Sequence, residues 1–95
     1  MNINIIVSMI LALVTFPQDA DFSIWFRNYK ITFSAYIENK KDIGIFIKIV
    51  DEEKEEVVYT DTWWECAHIE NGIRIPHTER ILKMLNNTKS TVESF

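Results

Sequence analysis

Residues 30–50 read KITFSAYIENKKDIGIFIKIV, and the alternation within this stretch decides the fold. Ile31, Phe33, Ala35 and Ile37 alternate with Lys30, Thr32, Ser34 and Tyr36. Ile43, Ile45, Ile47 and Ile49 alternate with Gly44, Phe46, Lys48 and Val50. A period of two marks strands with one buried face. The polar segment 38–42 between them suffices for a turn but not for a crossover, so the two strands pair antiparallel. Beyond the charged loop 51–56, residues 57–65 are rich in Val, Tyr, Thr and Trp, types that suit a pleated surface, and they give a third strand. Phe22–Phe26 is either a further short strand, turned by Arg27-Asn28, or the end of the connection before it. Asn71-Gly72 supplies the two positive-φ residues of a type I′ turn, so His68–Glu70 and Ile73–Ile75 form a tight hairpin closed by Pro76.

Helices bracket the strands. Residues 3–16 carry no charge, and Asn4, Ser8, Ala12 and Thr15 fall on one narrow helical stripe surrounded by apolar residues. A helix apolar over most of its circumference is a core helix. Pro17 stops it, and Gln18–Asp21 form the loop that follows. The alternative is a secretory signal over residues 1–20. Against it, no Lys or Arg precedes the apolar run and no small-x-small cleavage site follows. The run is also shorter than the roughly 20 residues of a membrane span. Residues 77–85 form the second helix, with Thr78 as cap and Ile81, Leu82 and Leu85 on one face. Asn86-Asn87-Thr88 stops it, and the last residues fray. That triplet also matches a glycosylation acceptor, which matters only in a secreted chain. The reading is a single α+β domain over residues 1–95: helix, three- to four-stranded antiparallel meander, short Asn-Gly hairpin, helix.

Composition narrows the function. The chain has 95 residues, of which 47% are hydrophobic and 25% charged, so it is an ordinary globular chain with room for one core. A net charge of -4 argues against nucleic-acid binding. The single cysteine excludes an intrachain disulfide framework and a multi-cysteine zinc module. The acidity is concentrated: residues 51–70 hold eight acids against Lys54. Its densest part, Asp51-Glu52-Glu53-Lys54-Glu55-Glu56, lies on a loop. Such a run is either a solvated hairpin tip or an acidic prong that speeds encounter with a basic surface. It lacks the alternating oxygen ligands of a calcium loop.

Aromatic residues give the second feature. With the isoleucines of 43–49 facing the core, Phe46 and Lys48 face away, and so does Tyr36. Placing Asp61 in water aligns Tyr59, Asp61 and Trp63 on that outer face and turns Trp64 inward. The outer face then carries Tyr36, Phe46, Tyr59 and Trp63, residue types that dominate interface hot spots. A helix over this face is the competing reading. Cys66, His68 and His77 could supply three metal ligands, but their spacing is a poor zinc signature, so no metal is expected. A Cys66–His68 nucleophile lacks an oxyanion site and an orienting group. Neither glycine belongs to a phosphate-binding loop.

The expected protein is not an enzyme and has no cofactor. It is a cytoplasmic inhibitor or adaptor that occupies a partner protein's surface. The contact residues are Tyr36, Phe46, Tyr59, Asp61 and Trp63, with Glu52, Glu53, Glu55 and Glu56 facing a basic surface. Neither nucleic acid nor membrane is an expected partner, and the oligomeric state stays open. In size and charge the chain is similar to phage-encoded inhibitors of host defence, anti-CRISPR proteins included. The alternatives are an exported domain trimmed near residue 20 and a Cys/His metal-dependent protein.

Overall fold

A computed structural model describes residues 1–16 and 20–95. Pro17, Gln18 and Asp19, on which the expected helix stop and following loop fall, lie outside the described residues. The elements are α1 (Ile3–Thr15), β1 (Asp21–Phe26), β2 (Tyr29–Glu38), β3 (Asp42–Asp51), β4 (Glu56–Glu70), β5 (Ile73–Pro76) and α2 (Thr78–Glu93). The fold is α+β, and the five strands form one antiparallel sheet in chain order. Phe22–Phe26 is therefore a true strand. Arg27 turns it with φ of 56°, without help from glycine. Asn71 and Gly72 have φ of 52° and 77°, as the type I′ reading requires.

The third strand and the first arm of the Asn-Gly hairpin are one element. β4 runs for 15 residues and bends where Glu65 takes φ of 57°. Its register against β3 shifts between Ile43 and Ile45 and again between Ile49 and Val50. Such bulges let a long strand curl and re-aim its side chains. The second shift turns both Val57 and Val58 outward, where they are exposed.

Both helices cover the same face of the sheet. Ile31, Phe33, Ile43, Ile45, Ile47 and Ile49 are wholly buried there, with Ile6, Ile10, Leu13 and Val14 from α1 and Ile81, Met84, Leu85 and Val92 from α2. The Cα envelope measures 45 × 23 × 16 Å. Its thinnest dimension holds one sheet and one helix layer, packed at roughly 10 Å, and no third layer.

α1 is the expected core helix, but it is buried over less of its circumference than the sequence implied. Asn4, Ser8 and Thr15 face solvent as expected, and Ile5 and Met9 join them. The Asn2 side chain caps it by accepting from the Asn4 backbone N–H at 3.0 Å. α2 departs further from expectation, because it passes straight through Asn86-Asn87-Thr88. Thr88 is buried and donates its hydroxyl to the Met84 carbonyl at 2.9 Å. Ile81, Met84, Leu85, Thr88 and Val92 continue one helical face, and that burial overrides the low propensity of the asparagines. The cap position is His77 rather than Thr78. The helix continues to Glu93, and the Phe95 ring lies 5.2 Å from that of Tyr29. Among the described residues, no helix is long and apolar enough to cross a membrane.

Asp51 is not part of the solvated tip. It is buried, and its Oδ1 accepts from Asn28 Nδ2 at 2.8 Å and from the Glu53 and Lys54 backbone N–H groups at 3.0 and 3.2 Å. Burial alone would raise its pKa. The hydrogen bonds from Asn28, Lys54 and Glu53, with the Lys54 charge, outweigh that and hold it below the ordinary 3.8. A depressed pKa stabilises the fold above the unfolded value and loses that contribution as pH falls through the folded one. Wild type should therefore be more stable than Asp51→Asn near neutrality, and the gap should shrink as pH falls below 3.8. Denaturant midpoints across an acid series check this. A gap that is the same at pH 5 and at about pH 2 would contradict it.

Candidate partner-binding face

The sheet face away from the helices is the open surface. Cross-strand partners share a face, so the register assigns it. Phe46 stands between Ser34 and Thr62, and Lys48 between Thr32 and Thr60. Trp25 stands beside Lys30, whose ammonium lies 5.8 Å from the indole centroid. Tyr36 and Phe46 therefore sit where the sequence placed them, half-buried on the outer face.

Tyr59, Asp61 and Trp63 do not. They pair with Ile49, Ile47 and Ile45, which puts them on the helix-covered face. The Asp61 carboxylate needs no open water, because its Oδ2 accepts from Tyr59 Oη at 3.0 Å and from Trp63 Nε1 at 2.9 Å. The Arg80 guanidinium of α2 covers the Trp63 ring at 5.0 Å from its centroid. Asp61 is thus a local acceptor for two neighbouring ring donors and does not mark the solvent face. Burial first, then the hydrogen bond to Asp61 and its charge, raise the Tyr59 pKa.

Trp64 takes the outer position instead. It is 43% exposed, and its ring meets Tyr36 edge to face with centroids 5.2 Å apart. The Tyr36 ring lies across Gly44: a Cβ there would stand 2.5 Å from Tyr36 Oη and 2.6 Å from Cζ. Glycine at 44 is thus the seat of the tyrosine. Among the described residues, the buried Tyr36 Oη has no hydrogen-bond partner. Burial, then the Glu38 charge and Cys66, raise its pKa. Glu38, paired with Asp42, lies beyond Tyr36 on the same face, and Asp42 stands opposite His68. Glu70 and Ile75 continue this end of the surface. The apolar centre Tyr36–Phe46–Trp64 therefore has Glu38, Asp42 and Glu70 at its β2–β3 end, beside the exposed turn lysines Lys40 and Lys41. The sequence reading did not place Trp64, Trp25, Glu38, Asp42 and Glu70 on this face. Gly44 beside a cross-strand aromatic was the one available signal.

The hairpin tip is separate from this centre. Glu52, Glu53, Glu55 and Glu56 are exposed as expected. From Glu52 to Phe46 the strand runs about 20 Å at ~3.3 Å per residue. The tip and the Tyr36–Trp64 pair thus belong to opposite ends of the sheet, with Phe46 midway and Trp25 nearer the tip.

Of the Cys/His group, the structure brings only the histidines together. The Glu65 carbonyl can only accept, so His77 donates its Nδ1–H there, and His77 Nε2 shares a hydrogen bond with His68 Nδ1 at 2.6 Å. His68 Nε2 lies 3.3 Å from a Glu70 carboxylate oxygen. This chain of contacts ties the β4 bulge to the start of α2. Cys66 is wholly buried, with its thiol directed at the Trp63 carbonyl, and burial pushes its pKa up to about 11 against opposing effects from Arg80 and the Ile45 backbone. A thiol so held is protonated at neutral pH and a poor nucleophile. No group of three or more His, Cys, Asp or Glu side chains among the described residues is placed to hold a metal ion. No family model, curated protein or solved structure matches the chain.

Proposed function

We propose that the chain is a non-catalytic binding module that occupies a basic surface of a partner protein through the outer sheet face. One observation carries the reading: Trp64 and Tyr36 stand in edge-to-face contact on a face that neither helix covers. Exposed Trp and Tyr on a rigid sheet are the residue types from which interface hot spots are built. Glu38, Asp42 and Glu70 outnumber Lys40 and Lys41 at this end and favour a basic partner, and the distant Glu52–Glu56 tip adds long-range attraction. Inhibition or adaptor action by surface occupation, as in small phage-encoded inhibitors of host defence, fits this reading.

The test uses immobilised wild type, Trp64→Ala and the surface control Leu82→Ala against extract of the native host. A protein bound by wild type should be lost by Trp64→Ala, where truncating a central contact costs ~2 kcal/mol or more, and kept by Leu82→Ala. Its capture should also weaken as salt is added. Capture that Trp64→Ala leaves unchanged would remove the face from the account.

A further inference from the structure

We propose that His68 and His77 form a proton-dependent latch between β4 and α2, complete only when the two rings together hold one proton more than a pair of neutral imidazoles brings. The latch is independent of the partner-binding reading.

The contacts set the proton count. His77 Nδ1 meets the Glu65 carbonyl, His77 Nε2 meets His68 Nδ1 at 2.6 Å, and His68 Nε2 meets Glu70 Oε2 at 3.3 Å. The two end groups, a carbonyl and an ionised carboxylate, only accept. His77 Nδ1 and His68 Nε2 must therefore each carry a proton, and a third must lie between the two facing nitrogens. Two neutral imidazoles bring one proton apiece. The complete chain of bonds thus carries one positive charge, whichever ring holds the shared proton. Without that proton, either two lone pairs face each other between the rings, or His68 turns its one N–H inward and leaves a bare nitrogen against Glu70. With a further proton, two N–H groups face each other. Each change breaks a bond.

The charges around the half-buried pair favour the intermediate state. Asp42 of β3 stands across from His68, with Glu38 of β2 beyond it, and Glu70 lies at its outer nitrogen. These acids favour the first added proton. Arg80 of α2, on the neighbouring Trp64 carbonyl, and Lys40 and Lys41 in the β2–β3 turn oppose a second. Glu79 in the first turn of α2 is exposed. From β5, uncharged Ile75 stands beside His68, and Arg74 pairs with Ile69 instead. The Cys66 thiol, pushed up to about 11, brings no charge at neutral pH.

The latch acts at a bend. The start of α2 holds three successive β4 carbonyls: Arg80 donates to Trp64, the His77 ring to Glu65, and the His77 backbone N–H to Cys66 at 2.9 Å. Glu65, the middle one, is where the strand bends with φ of 57°. His68 braces the ring that makes this middle contact, so the proton count decides whether the brace is closed.

The test is nuclear magnetic resonance of the full-length chain with isotope-labelled histidine, from about pH 5 to about pH 9, which spans the ordinary imidazole range. The pair should take up its two protons in separate steps with a plateau between them. On the plateau, His77 Nδ1 and His68 Nε2 should each carry a proton and the facing nitrogens should share the third. Protection of the His77 backbone N–H against hydrogen exchange should peak there and fall about tenfold on either side, as one hydrogen bond is lost. Protection of Leu85, in the middle of α2, should stay constant. In His68→Gln an amide that does not titrate replaces the ring, and the peak at His77 should disappear. Two histidines that titrate together in a single step overturn the proposal. So does a plateau without a peak in His77 protection, or a peak that His68→Gln retains.

Discussion

A truncated chain beginning at Ala20 is expected to have no cooperative unfolding transition. α1 contributes Ile6, Ile10, Leu13 and Val14 to the core, all nearly or wholly buried. Each such side chain stabilises the fold by about 1.5–3 kcal/mol. Together they match much of the ~5–15 kcal/mol that holds an ordinary domain folded. The truncation would also bare the isoleucines of β2 and β3 beneath α1, an apolar surface on a sheet with an open edge. Loss of the calorimetric transition, with concentration-dependent association, is the expected readout. A trimmed chain that melts cooperatively at the full-length temperature would show α1 to be dispensable, and would support removal of residues 1–20.

β2, β3 and the Asn71-Gly72 turn were legible because their signal is local. Alternation in 31–37 and 43–49 and the Asn71-Gly72 pair need no knowledge of the rest of the chain. α2 was legible only in its first half. Beyond Leu85 its helix rests on the burial of Thr88 and Val92, which sequence spacing hints at and which polar Asn86 and Asn87 disguise. The outer face was half legible. Tyr36 and Phe46 alternate with plainly apolar neighbours, so their orientation followed. On β4 the two alternating sets, Tyr59-Asp61-Trp63 and Thr60-Thr62-Trp64, each mix polar and aromatic residues, and the pattern is ambiguous. The charge of Asp61 was read as a mark of solvent. Its hydrogen bonds to Tyr59 and Trp63, residues two positions away on either side, let it stay on the helix-covered face. The two bulges of β4 and the placement of both helices on one face are long-range outcomes, set by packing rather than by any short segment.

Trp63→Ala is expected to be the most destabilising single change on β4. It removes a ring that packs against the core beneath Arg80 and leaves Asp61 Oδ2 without one of its two donors. Truncating a well-packed Trp costs about 3–5 kcal/mol when fully buried, so about 2–3 kcal/mol is expected for this half-buried one. Trp64→Ala loses an edge-to-face contact with Tyr36 and little else, for about 1 kcal/mol. In a domain of this size each kcal/mol shifts the melting temperature by roughly 4–8 °C. A pair of thermal melts on the two variants therefore tests most directly which face of the sheet is open. Trp63→Ala should melt about 8–24 °C below wild type, with Trp64→Ala much closer to it. The reverse order, with Trp64→Ala the more destabilised, would put Trp63 on the open face and contradict the account.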